Sequence, residues 1–147
     1  MASETIQVGA MSIRFLLEGH ESNGSVAMFE AVVPAKAAMP APHSHDAYEE
    51  TAYGLEGVTT WTVAGEQTDV GLGEVLCIPR GVVHAFHNDG AVDAKVLFGV
   101  TPGILGPDYF REVAAVFADA AGGLPDLARL GEIMRRHGLT PAPRPAA

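Results

Sequence analysis

The chain has 147 residues, enough for one domain with a real core and too few for two ordinary ones. Its formal charge is −9, and the acid is regional: residues 1–105 hold 13 Asp and Glu against 4 Lys and Arg, whereas residues 106–147 hold 5 of each. An acidic front half repels phosphate backbones and so argues against nucleic acid, one cysteine excludes an internal disulfide framework, and no stretch approaches the roughly 20 apolar residues of a membrane span.

From Ile6 to Val33 the chain reads as strands and turns. Met11 to Leu17 alternates and then becomes wholly apolar, Gly19 to Gly24 is turn chemistry with His20 as a solvated loop histidine, and Val26 to Val33 is a second apolar run. Pro34 to Pro42, with three prolines and four alanines, is expected to be an extended approach that fixes where His43 emerges. Val58 to Val63 is β-branched and aromatic, with Ala64-Gly65-Glu66 as a hairpin turn. Val75 to Ile78 reads as a short buried strand in which Cys77 is a small hydrophobe, and Pro79-Arg80-Gly81 as a tight turn. Val92 to Val100 is expected to close the sheet.

After Thr101-Pro102-Gly103 the apolar period lengthens to that of a helix. Asp108 to Ala121, behind Pro107, puts Phe110, Val113, Ala114, Phe117 and Ala121 on one face, and Gly122-Gly123 stops it. A second helix over Pro125 to His137 offers Leu127, Leu130, Ile133 and Met134, with a solvated basic last turn and Gly138 as its cap. The domain reading is therefore a β-barrel over 1–105, a helical extension over 106–139 packed on its outer face or mouth, and an extended tail over 140–147.

Two stretches carry the chemistry. In a strand residues i and i+2 share a face, so His43 and His45 present two imidazoles side by side. A carboxylate, Glu49 or Glu50, follows at once, and His84 arrives on a later strand. Three neutral imidazoles and one carboxylate suit a divalent transition metal, Fe, Mn, Co, Ni, Cu or Zn, whereas Ca or Mg would want mostly oxygen. Parity favours Glu49, because Glu50 faces inward with the histidines only if the chain turns or bulges between 46 and 48. His87 falls on the other side of its strand from His84 and reads as a surface residue.

These stretches resemble the two cupin motifs. His43, His45, Glu50 and Gly57 fall at the spacing of the first, with Ala37 where its leading glycine would be; Gly73, Pro79, Gly81, His84 and Asn88 fill every fixed position of the second. The resemblance implies a double-stranded β-helix, a jelly-roll barrel, holding one metal ion on His43, His45, Glu50 and His84. Its spacing points to Glu50 rather than Glu49. Ala52 and Gly54 follow Glu50 on the same face where many cupins carry bulky residues, which leaves either room for substrate or a bulge where backbones approach.

The resemblance to small quercetin-dioxygenase-like cupins implies a metal-dependent oxygenase acting on a small planar enolic or phenolic molecule. Glu50 would take the substrate's hydroxyl proton, with Trp61 and Phe86 as apolar wall. A non-catalytic or sensory binding module, and an isomerase or decarboxylase, are the alternatives, since one barrel hosts many reactions. The expected setting is a cytoplasmic homodimer, with neither nucleic acid nor membrane as partner: the N-terminus has no signal-like apolar run, and exposed sheet edges need covering.

Overall fold

Side chains that alternate between core and surface define the two central strands of this protein. In both, every second residue is at most 2% exposed: Ala27, Phe29, Ala31 and Val33 in one, Ala94, Val96, Phe98 and Val100 in the other. Each large apolar side chain so buried contributes roughly 1.5–3 kcal/mol relative to leaving it in water.

The computed structural model describes residues 4–37 and 41–143. In chain order the strands are β1 (Thr5–Val8), β2 (Met11–Leu17), β3 (Ala27–Val33), β4 (His43–His45), β5 (Glu49–Glu56), β6 (Thr59–Val63), β7 (Glu66–Val70), β8 (Val75–Ile78), β9 (His84–His87), β10 (Ala94–Thr101) and β11 (Leu139–Pro141). The helices α1 (Pro107–Asp119) and α2 (Leu127–Arg136) lie between β10 and β11, and Gly19–Ser22 forms a single 3-10 turn. One sheet runs β1-β2-β3-β10-β5-β8 and the other β11-β4-β9-β6-β7, with the named strands paired antiparallel. The protein is a jelly-roll β-barrel with C-terminal helices: the alternation and turns pointed to a β-barrel with a helical appendix, and the resemblance to the cupin motifs to the jelly roll. Among the described residues no helix is long and apolar enough to cross a membrane.

A phenylalanine seam ties the helices to the barrel. Phe29 of β3 stacks on Phe15 of β2 and Phe98 of β10, each at 5.0 Å between ring centroids, and meets Phe110 of α1 at 5.1 Å. The buried face of α1 is Tyr109, Phe110, Val113 and Val116, broader than the expected stripe; Ala114 and Phe117 are half-buried, and Ala121 lies beyond the helix end, exposed. In α2, Ile133 and Met134 are buried, while Leu127 is exposed. Arg135 and Arg136 are exposed at the helix end, as expected; Arg136 and His137 also reach Glu112 of α1, the arginine at 2.9 Å, and join the two helices.

Three further expectations change. The tail read from residue 140 begins as a strand: β11 pairs with β4, Leu139 opposite His45 and Pro141 opposite His43, while residues 144–147 lie outside the described ones, as do 38–40 of the proline-rich approach. The strand expected to close the sheet is β10, which lies inside it between β3 and β5. Finally, β8 is an edge strand of which only Ile78 is buried, so Cys77 is exposed rather than packed. An apolar run reads alike for a covered strand and a half-covered edge, because periodicity does not report what lies on the far face.

Candidate metal centre

Each histidine reaches one point from a different constraint. The turn Pro79–Val82 closes with a bond from Val82 N to Pro79 O, needs the positive φ of 81° that Gly81 adopts, and is anchored where Gly81 N donates to His45 O at 2.7 Å. It delivers β9, whose His84 stands in register opposite His43 of β4. Strand β4 is itself held on its other side by β11, and Asp46 is tied by Thr140 Oγ1 at 2.6 Å. Ring centroids of His43, His45 and His84 lie 4.5–5.2 Å apart, and one ring nitrogen from each falls within 4.8 Å of the others.

The carboxylate comes from the opposite sheet. Residues Asp46 and Ala47 form a bend between β4 and β5, which reverses the parity and turns Glu50 inward. Glu50 is 7% exposed, and its Oε2 stands 3.8 Å from His45 Nε2 and 3.5 Å from His84 Nε2. Glu49 points outward, where Arg80 donates to it through Nε at 2.6 Å, Nη2 at 2.8 Å and its backbone N–H at 3.0 Å. Those bonds hold the Glu49 carboxyl near pKa 2.

These donors fit a divalent transition ion. Nδ1 of His43 meets Ala41 O and Nδ1 of His84 meets Val82 O, each at 3.0 Å, and a proton on Nδ1 leaves the Nε2 lone pair facing the centre. Glu50 has no Lys or Arg partner among the described residues, and its separations from the two imidazoles are too long for hydrogen bonds. They are shorter than twice a metal–ligand bond of about 2.1 Å, so the carboxylate and both imidazoles can reach one ion. Burial first, then the charge of His84, lowers His43 to about 4; the same causes and His43 lower His45 to about 2. Both rings are therefore neutral, as coordination requires. His45 Nδ1 has no hydrogen-bond partner; its ring stacks on Tyr48 at 4.5 Å, whose hydroxyl is likewise buried and unbonded.

The centre opens on a cavity of about 60 Å³. Of the four residues expected to touch substrate, Phe86 lines it and Trp61, Ala52 and Gly54 do not. Trp61 is fully buried behind Phe86, stacked on it at 4.5 Å, with its indole N–H bonded to Thr59 Oγ1. Ala52 is sealed between strands, opposite Phe98 and Leu76. Gly54 marks a close backbone approach: a Cβ there would fall 1.9 Å from Gly71 O, beside a register shift in the pairing of β5 with β10. Small residues after Glu50 thus serve packing of the chain, not cavity space. Residues not singled out from the sequence supply much of the wall, above all Leu105, Tyr109 and Phe110 around α1 and Leu139 of β11. Tyr109 repeats with Val113 and Val116 at helical spacing, a signal parallel to the stripe through Phe110.

Residues 29–100 match the family model described as "Cupin domain". That match spans just under half of the chain, which is similar to a cupin domain there. Its cupin fold is similar to the Cnp3 cupin domain of Schizosaccharomyces pombe, at 18% identity and TM-score 0.60 over 69% of each chain. It is also similar to a protein described as a predicted oxalate decarboxylase from Thermotoga maritima, at 18% identity and TM-score 0.62, covering 69% of this chain and 93% of that one. KdgF from Halomonas sp. aligns at 16% identity and TM-score 0.57, over 69% of this chain and 86% of its own length. Likeness at such identities concerns the fold alone. No curated protein sequence matches this one.

Proposed function

We propose that this cupin binds one divalent transition metal through His43, His45, His84 and Glu50, and acts as an oxygenase on a small, uncharged enolic or phenolic molecule. The observation that carries the reading is the setting of the four donors, which close one end of a cavity whose remaining walls are apolar except for Tyr109 and hold neither Lys nor Arg. A decarboxylase acting on a dianion, or an isomerase acting on a sugar phosphate, needs fixed cations or several hydroxyl-binding groups there. An uncharged enol needs only the ion, a base and apolar cover.

An ion held by these four residues and able to accept a further ligand would polarise an oxygen atom brought to it. The protein's own part is separable. Glu50 accepts the hydroxyl proton of the bound molecule, Phe86 and Phe98 flank its skeleton, and Trp61 stiffens Phe86 from behind. Cavity size narrows the substrate class. At about 60 Å³ the space is well below the ~300 Å³ at which ordinary ligand pockets begin, so a 1,3-diketone or single phenolic ring is favoured over a flavonol.

Oxygen uptake by protein loaded in turn with Fe, Mn, Ni and Cu, offered small diketones and monocyclic phenols, tests this. Turnover with one metal and loss of it in Glu50→Gln is the expected result. Saturable binding without oxygen uptake for any metal would instead support a non-catalytic binding module, the reading that the small cavity favours second.

A further inference from the structure

Outside the four-donor cluster the cavity wall is apolar with one exception. Tyr109, on the first turn of α1, is the remaining lining residue with a strong hydrogen-bonding side-chain group. It is 7% exposed, and its ring is set edge-on by Phe110 at 5.0 Å and His137 at 5.4 Å. None of the side-chain hydrogen bonds among the described residues uses its hydroxyl. The fold therefore uses the ring and leaves the oxygen idle. Phenylalanine serves everywhere else in this seam, at Phe15, Phe29, Phe98 and Phe110. Unlike the hydroxyl of Tyr48, that of Tyr109 is not sealed away unbonded, so a ligand or water can reach it. The phenol is also kept protonated, because burial and then the nearby Glu50 charge push its pKa up. It is a donor.

We infer that Tyr109 binds the ligand directly, donating a hydrogen bond to a second oxygen of a small planar molecule whose first oxygen lies at the His43, His45, His84 and Glu50 cluster. The inference rests on the metal reading above and deepens it: the bound molecule carries two oxygens, and the helical extension supplies the group that selects for the second. It also gives α1 a role in the site that the four donors alone do not require.

Resorcinol and phenol differ by that second oxygen. Cobalt(II) is loaded into the full chain and its visible absorption followed while each phenol is titrated in. The unsubstituted protein is expected to bind resorcinol roughly three- to tenfold more tightly than phenol, the worth of one neutral hydrogen bond. In Tyr109→Phe the two should bind alike, with cobalt content and phenol affinity unchanged. A resorcinol preference that survives in Tyr109→Phe overturns the inference, as does equal or absent binding of the two phenols by the unsubstituted protein. Failure to take up cobalt at all would overturn the metal reading, and this one with it, and is told apart by the missing cobalt spectrum.

Discussion

Among the described residues two clusters hold side chains of the metal-binding type, and they differ in nearly everything but residue type. Glu18, His20 and Glu21 bring three donor atoms within 4.8 Å of one another, as His43, His45 and His84 do. The first group lies around one exposed 3-10 turn, and Glu21 is already engaged in accepting the backbone N–H of Glu18 at 2.8 Å. The second is assembled from β4 and β9, faces Glu50 from the opposite sheet, and has two of its rings tethered through Nδ1 to backbone carbonyls. Proximity of donors is cheap on a surface. What separates a site from a coincidence is that its donors are desolvated, held by independent parts of the fold, and left with lone pairs nothing else uses.

Removing His84 should break the comparison most sharply. His84→Ala is expected to weaken metal binding by more than about 100-fold, since loss of a ligand exceeds the 10–100-fold cost of disturbing groups behind one. Elemental analysis after gel filtration reads it, and unchanged stoichiometry would remove the site. Glu50→Gln comes next, with a loss on the order of 10–100-fold by competition against a chelator.

Acid sharpens the contrast in the metal-free protein. His43 and His45 stay neutral in the fold to about 4 and about 2, whereas a histidine in the unfolded chain takes up its proton near 6.5. The unfolded state then binds more protons below pH 6.5, so stability falls as pH drops, towards 4 for His43 and on towards 2 for His45. The slope is at most about 1.4 kcal/mol per pH unit for each ring, and it vanishes well above 6.5. Urea midpoints between pH 7.5 and 4.5 measure it; a flat profile would mean that these rings are not buried neutral. The smallest effect is expected from Glu49→Gln and His20→Ala. Both should leave metal affinity within about twofold, because Glu49 is spent on Arg80 at the surface and His20 faces solvent. A large loss in Glu49→Gln would transfer the carboxylate role to it.

The neighbourhood of Glu50 shows how far the chain could be read in advance. Strict alternation favours Glu49, and motif spacing favours Glu50; the bend at Asp46 and Ala47 is what turns Glu50 inward, and a bend of two residues has no period to detect. The helices were legible to within a few residues because Pro107 marks the start of the first, Gly138 caps the second, and the apolar spacing persists for several turns. Their contribution to the cavity was not. Tyr109 lies one position from Phe110 in the stripe that was read, and which of two adjacent residues meets the barrel depends on the angle at which the helix docks. Leu139 was hidden more deeply: three residues of β11 have no signal apart from the strand they pair with.

The sequence by itself determined the alternation that makes strands, the turns that end them, and which side chains could bind a metal, because these depend on neighbours a few positions away. Only the tertiary structure decided which carboxylate faces inward, that Cys77 lies on an uncovered edge, that Trp61 backs the wall instead of lining it, and that α1 and β11 close the cavity. Each of those depends on which surfaces meet across the barrel, and contacts between residues distant in the chain leave no local period to read.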